Sequence, residues 1–193
     1  MIRVPRYPLT LILGGLIVAV MVATVIDPGL HPRLVEHLSV SWPEIGAGKL
    51  WRMPTSSLVQ EDSGFVWPIA ALVTVLPAAE ERLGTLRALL VYVICDAASS
   101  LLALGALEIV GDQRLAAEPN IGSSAGLVGL LAAWIATLPA PHRRRAGAAL
   151  PLGVVIALTI DPDLAAFQHV IAAATGGLLG SSLIHLRRRT SAP

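Results

Sequence analysis

The sequence predicts an all-α fold that crosses a membrane several times, and three observations lead to this prediction. Of the 193 residues, 54% are hydrophobic and only 14% are charged, whereas soluble domains carry about 25% charged residues. The mean hydropathy is +0.71. Many of the apolar residues fall into segments long enough for membrane helices. A soluble globule of this size would expose much apolar surface, which argues against a soluble enzyme, a disordered protein and a nucleic-acid binder.

The charge and the cysteine content exclude further classes of function. Fourteen Lys and Arg residues against thirteen Asp and Glu give a net charge of +1, so there is no broad basic surface for phosphate backbones. The single cysteine, Cys95, excludes an intrachain disulfide and an all-cysteine metal cage. We expect no cofactor, because no metal-ligand cluster or phosphate-binding loop is evident. All basic residues except Lys49 are Arg, which indicates a GC-rich bacterial genome.

Six apolar segments are predicted to form transmembrane helices. The first ends at Asp27-Pro28-Gly29, where proline and glycine break a helix, and it lacks a signal-peptide cleavage pattern. We therefore expect it to be retained. The second and fifth segments are short for a full span, which needs about 20 residues. The six segments are 8–26, 65–79, 86–110, 120–139, 146–160 and 164–186.

The basic residues predict the orientation of these segments. Cytoplasmic loops carry an excess of Lys and Arg, and six spans with a cytoplasmic N-terminus place ten basic residues inside and four outside. The chain would then be one membrane domain over 1–193, with both termini cytoplasmic and a short tail at 190–193. The inner residues are Arg3, Arg6, Arg82, Arg87, Arg143, Arg144, Arg145, Arg187, Arg188 and Arg189, and the outer ones are Arg33, Lys49, Arg52 and Arg114.

The outer connection between the first two spans, 27–64, is much longer than the other connections. Long connections without a repeat of their own are often functional. It contains Trp42 and Trp51, and tryptophan favours the headgroup level of a bilayer. We therefore expect this connection to lie on or in the outer leaflet.

Two ionisable residues lie well inside predicted spans, Asp96 in the third and His169 in the sixth. Intramembrane ionisable groups are costly and are functional candidates by default. Asp96 has two interpretations. It is either a proton relay or substrate contact, or a structural group that is hydrogen-bonded to Ser99, Ser100 or a neighbouring helix.

Ser124 lies four residues, about one helical turn, into the fourth span and is predicted to lie at the depth of His169. Both spans run from outside to inside, so both residues lie below the same membrane face. Each residue alone has a structural explanation, but a serine hydroxyl becomes a nucleophile when a nearby histidine removes its proton. The sequence therefore predicts a Ser-His dyad. No third group that would orient the histidine is evident, since Gln168 is expected to point elsewhere on its helix.

At this point the residues resemble the rhomboid family of intramembrane serine proteases. Four motifs occur in the family's order, over about residues 48–180 of the chain. They are the tryptophan-arginine motif in Gly48-Lys49-Leu50-Trp51-Arg52, the Glu-containing turn in Ala79-Glu80-Glu81-Arg82-Leu83-Gly84, the G-x-S motif in Gly122-Ser123-Ser124, and the glycine-spaced histidine helix in His169, Gly176 and Gly180.

The resemblance implies a six-helix bundle with a rhomboid-like core at about 48–186. It implies that Ser124 is the nucleophile and His169 the general base in hydrolysing a peptide bond of transmembrane protein substrates, which we expect to be single-span proteins in the lipid bilayer. Gly122, Ser123 and Asn120 are expected to support the oxyanion, and Trp51 and Arg52 to shape the outer loop. Glu80 is expected to have a structural role. Gly126, Gly176 and Gly180 are expected to let helices pack closely.

Two alternatives remain open at the sequence level. Active family members commonly carry a histidine and an asparagine on helix two, and the stretch 63–69 has neither. A catalytically inactive rhomboid-like protein that binds transmembrane helices is therefore the first alternative. A small transporter with Asp96 as its polar site is the second, although no internal repeat supports it.

Overall fold

A computed structural model of the chain describes residues 7–61, 66–160 and 163–190. Arg3, Arg6, residues 63–65 of the helix-two stretch 63–69, and residues 191–193 of the predicted tail lie outside the described residues.

The described residues are helical, with no β-strand among them and one isolated β-bridge between Val40 and Asn120. This confirms the all-α prediction for that part of the chain. A π-helical turn, Thr10–Gly14, precedes the first α-helix. The α-helices are α1 (Gly15–Ile26), α2 (Leu30–Leu38), α3 (Trp42–Gly46), α4 (Arg52–Ser56), α5 (Val66–Leu83), α6 (Thr85–Val110), α7 (Gln113–Ala117), α8 (Ser124–Ala136), α9 (Ala140–Ile160) and α10 (Leu164–Thr190).

The described parts of the six predicted apolar segments lie mainly on α1, α5, α6, α8, α9 and α10. Among the described residues, Thr85–Val110 and Leu164–Ile184 are long and apolar enough to cross a membrane by length and composition. Thr10–Ile26 and Ser124–Ala136 are shorter apolar helices. The number of spans and the orientation of the termini stay predictions.

α8 is the central helix of the bundle. Nine of its thirteen residues are buried, and it packs against α5, α6 and α10. A thirteen-residue helix is about 20 Å long, which is shorter than the hydrocarbon core of about 30 Å. The outer surfaces of the surrounding helices expose large apolar side chains, among them Ile12, Leu102 and Leu178. That surface suits lipid better than water.

The start of α8 differs from the prediction. The fourth apolar segment was expected to be helical from Asn120, but α8 begins at Ser124. Asn120 pairs with Val40 through two backbone hydrogen bonds of 2.9 and 3.0 Å. Gly122 has a φ of +114°, a backbone angle that residues other than glycine rarely adopt. The expectation that Ser124 lies one turn inside the helix is therefore wrong, since it is the first helical residue.

Backbone contact between α8 and α10 depends on glycines. A Cβ atom at Gly176 would overlap the carbonyl oxygen of Gly129, and one at Gly180 would lie 2.5 Å from the carbonyl oxygen of Ala133. Gly126 has the same role on the other side of α8, where a Cβ atom would lie 2.6 Å from the Tyr92 ring of α6. Small residues at such positions let membrane helices approach closely.

Glu80 connects three helix ends. Its carboxylate accepts hydrogen bonds of 2.8 Å from the backbone N–H groups of Leu9 and Thr10 and from the Thr10 hydroxyl, and one of 2.9 Å from the Thr85 hydroxyl. Negative charge at free N–H groups of a helix start is stabilising. The motif was expected to form a turn, but Glu80 lies in the last turn of α5, which ends where Gly84 takes φ +85.

The long connection folds into the short helices α2 to α4 and packs on the C-terminal half of α6. Trp42 lies 3.3 Å from the position that a Gly105 Cβ atom would occupy, and it packs on a cluster that contains Val40 and Leu104. The half-buried Trp42 is thus a packing residue, whereas Trp51 is 52% exposed.

Arg52 joins the parts of this connection. Its buried guanidinium donates a hydrogen bond of 3.3 Å to the Ser39 carbonyl, lies 3.5 Å from a Glu44 carboxylate oxygen, and is centred 5.4 Å from the Trp51 ring. Lys49 lies 2.7 Å from the same carboxylate, and its hydrogen bond holds the pKa of Glu44 below its ordinary value against the opposing effect of burial. Trp51 and Arg52 therefore stabilise the fold of the long connection.

Candidate active site

Ser124 and His169 lie in direct contact. The Oγ atom of Ser124 is 2.9 Å from Nε2 of His169, which is hydrogen-bond distance. Ser124 is the first residue of α8, and His169 lies in the second turn of α10. The structure thus brings together the two residues that the sequence singled out, from positions 45 residues apart.

The contact follows from the packing of α8 against α10. The register of this pair is set by Gly176 against Gly129 and by Gly180 against Ala133. His169 lies two helical turns before Gly176, and it therefore reaches the N-terminal end of α8. Gly176 and Gly180 do not contact the dyad themselves, but by fixing how α10 packs along α8 they determine that His169 lies level with Ser124.

A cavity of about 610 Å³ lies at the N-terminal end of α8. Its wall includes both dyad residues and a set of polar side chains from the long connection, α6, the segment before α8 and the start of α10. Such a cavity offers room for a polypeptide segment and for water. The polar lining residues are Gln60, Glu61, Asp96, Glu118, Asn120, Ser124, Asp163, Gln168 and His169.

Ser123 is held by Gln60. The backbone N–H and the hydroxyl of Ser123 both donate to Oε1 of Gln60, at 3.2 and 3.0 Å, and Nε2 of Gln60 donates to the Ser57 carbonyl at 2.8 Å. The Ser123 N–H, expected to face an oxyanion, is therefore engaged within the protein. Sequence reasoning missed Gln60, since no local pattern connects residues 63 positions apart.

The two other residues expected to support an oxyanion have structural contacts. Gly122 provides the left-handed backbone that precedes α8, and its N–H donates to the Ser56 carbonyl at 3.1 Å. The side-chain nitrogen of Asn120 donates to the Ser100 hydroxyl at 3.3 Å. Both residues line the cavity, and they fix the strand-like segment that leads into Ser124.

Asp96 is paired inside the bundle. Its carboxylate accepts a hydrogen bond of 2.7 Å from the Ser57 hydroxyl and interacts with the backbone N–H of Gly126. The Ser99 hydroxyl bonds to the backbone carbonyl of Asp96, not to the carboxylate. Asp96 thus joins α6 to the long connection and to α8, which favours the structural interpretation, because a buried acid needs partners.

Gln168 was expected to point elsewhere on its helix than His169, and none of the hydrogen bonds of the described residues joins these two side chains. Its side chain is nevertheless 5% exposed and lines the same cavity as His169. Its Nε2 atom is buried and has no hydrogen-bond partner among the described residues. The sequence alone does not show that Gln168 lies at the cavity, because which side of α10 faces the cavity depends on how the helices pack.

Asp163 begins α10. Its carboxylate accepts a 2.7 Å hydrogen bond from the backbone N–H of Ala166, which is the geometry of an N-cap. An Asp directly before an apolar run is a recognisable helix start. Asp163 therefore fixes the first turn of the helix that carries His169. Among the described residues, no group of three or more His, Cys, Asp or Glu side chains is arranged to hold a metal ion.

Comparison with known proteins gives one match. Residues 47–186 match the family model described as Rhomboid domain, and this match covers all four motifs and both dyad residues. No curated protein and no solved structure shows significant similarity to the chain.

Proposed function

Because the chain belongs to the rhomboid family, and is therefore an integral membrane protein of an intramembrane protease family, we propose that it is a serine endopeptidase with Ser124 as nucleophile and His169 as general base. The 2.9 Å separation between Ser124 Oγ and His169 Nε2 carries this proposal. The proposal treats 1–193 as one multi-pass membrane domain that needs no cofactor.

The chemistry is acyl transfer. Ser124 Oγ attacks the scissile carbonyl carbon while its proton moves to His169 Nε2, and His169 then gives this proton to the leaving amine nitrogen. Water attacks the resulting ester, passes a proton to His169 and releases the carboxyl product, with the proton returning to Ser124. The cavity of about 610 Å³ at the dyad supplies room for that water.

The oxyanion needs hydrogen-bond donors beside Ser124. The first N–H groups of an α-helix lack intrahelical partners and lie at the positive end of its dipole. Since Gln60 occupies the N–H of Ser123, the proposal assigns the oxyanion to the N–H groups of Ser124 and Ala125. One such donor in a serine protease changes turnover by about a hundred- to a thousandfold.

The proposed substrates are single-span membrane proteins whose helix unwinds near the outer face. α8 is about 20 Å long, so its N-terminal end is recessed within a bilayer while the cavity lies above it. A helical substrate keeps its carbonyls hydrogen-bonded and unexposed, and the cut therefore requires local unwinding. The cell membrane location and the outer face follow from the predicted topology.

His169→Ala should reduce cleavage of a fluorogenic transmembrane substrate in liposomes by about a thousandfold or more, because the hydroxyl of Ser124 loses its base. The measurement is initial cleavage rate against protein concentration. His37→Ala, at an exposed position of α2, is the matched control and should cleave at the wild-type rate. Equal rates for His169→Ala and the wild type would contradict the proposed mechanism.

A catalytically inactive helix-binding protein is the second candidate. One observation favours it, since α5 contains neither the histidine nor the asparagine that active family members commonly carry on helix two. This candidate predicts that the wild-type protein crosslinks to transmembrane helices without cutting them, and that Ser124→Ala leaves crosslinking unchanged.

A further inference from the structure

Gln168 carries a buried hydrogen-bond donor that the dyad chemistry does not use. Its side chain is 5% exposed, it lines the cavity that holds Ser124 and His169, and its Nε2 atom has no partner among the described residues. Native proteins pair nearly all such groups, because an unpaired buried N–H costs free energy. A donor retained in this place indicates an acceptor that arrives with a ligand.

The position of Gln168 indicates which ligand atom it would meet. Gln168, Ala172, Gly176 and Gly180 form one row at four-residue spacing along α10, and all four are buried. Gly176 lies against Gly129 and Gly180 against Ala133, so this row faces α8, and Gln168, about two turns before Gly176, lies near the N-terminal end of α8. Gln168 directly precedes His169 and lines the same cavity, so its amide lies next to the reacting pair.

The polypeptide that the dyad would cut supplies suitable acceptors. A transmembrane helix that unwinds at the scissile bond loses the intrahelical hydrogen bonds of several carbonyl oxygens. Away from bulk water each unpaired carbonyl is costly. The last side-chain torsion of Gln is broad, so the buried amide nitrogen can rotate to donate to a ligand in the cavity that the side chain lines.

We propose that Gln168 is a substrate-binding residue whose side-chain amide donates a hydrogen bond to a backbone carbonyl oxygen beside the scissile bond of the unwound substrate. This inference rests on the proposed protease function. It names the substrate class as extended polypeptide, recognised by its backbone and not by a particular side chain at this point.

The test compares Gln168→Met with the wild-type protein in liposomes. Loss of the donor leaves the substrate carbonyl unpaired, so kcat/KM for a transmembrane substrate should fall about tenfold or more. Labelling of Ser124 by a small fluorophosphonate should keep its rate within twofold, because the probe has no peptide chain to reach Gln168. The melting temperature should not fall, since no bond to a described residue is lost in the free protein. Gln168→Leu should give the same three results as Gln168→Met.

Gln113→Met is the matched control, since Gln113 is exposed on α7, and it should leave all three measurements unchanged. If Gln168→Met cleaved at the wild-type rate, the inference about Gln168 would be overturned while the proposed protease function would stand. If labelling fell together with cleavage, Gln168 would be an oxyanion donor. If the melting temperature fell, Gln168 would have a structural role. Either result would overturn the inference that Gln168 binds the substrate backbone. A wild-type protein that is neither labelled nor able to cleave would overturn the proposed function, and this inference with it.

Discussion

Ser124→Ala should lower cleavage of a transmembrane substrate by a factor of about ten thousand or more, as loss of the nucleophile does in serine proteases. The substitution removes one oxygen atom from the first residue of α8 and leaves the packing of the bundle intact. We therefore expect an unchanged melting temperature together with lost activity. The measurement is the cleavage rate of the purified protein in liposomes at saturating substrate.

Ser181→Ala is the matched control for this change. Ser181 is an exposed residue of α10 whose hydroxyl donates to the Gly177 carbonyl of its own helix at 2.8 Å. It should keep wild-type activity. If Ser124→Ala cleaved at more than a few per cent of the wild-type rate, the nucleophile would have to be another group.

Gly176→Ala is expected to have the largest effect outside the dyad. The added Cβ atom would overlap the backbone carbonyl of Gly129, which cannot rotate away as a side chain can. Overpacking of this kind costs about 1–3 kcal/mol of stability, and it would push α10 away from α8. A displacement of about 1 Å at a reacting pair can lower activity about a hundredfold. We expect both a lower melting temperature and about a hundredfold slower cleavage.

Gly177→Ala separates this effect from the helix propensity of glycine. Gly177 is the next residue of α10, and a Cβ atom there meets nothing within 4 Å. Alanine is a better helix former than glycine by about 1 kcal/mol, so this variant should be at least as stable and as active as the wild type. Similar behaviour of the Gly176→Ala and Gly177→Ala variants would show that helix contact does not position the dyad.

The sequence allowed the dyad to be chosen because polar groups are conspicuous in apolar helices. His169 was one of two ionisable residues well inside predicted spans, and a serine among small residues at equal depth was its natural partner. The structure places these two side chains in contact.

The surroundings of the dyad were less accessible to prediction. Gln60 reaches Ser123 across 63 residues, and such a pairing is decided by tertiary packing. The predicted helix start at Asn120 was wrong because the bridge to the distant Val40 fixes an extended backbone there, and no local pattern reveals that pairing. That Gln168 lines the cavity could not be predicted for a related reason, since one step around α10 separates the cavity side from the lipid side.

The central claim is that His169 activates Ser124, and the most direct test is mass-spectrometric mapping of the covalent adduct formed with a fluorophosphonate probe. The wild-type protein should carry one adduct, on Ser124, and the His169→Ala variant should carry none under the same conditions. An adduct on Ser123 or another residue of the wild type, or equal labelling of Ser124 without His169, would contradict the claim.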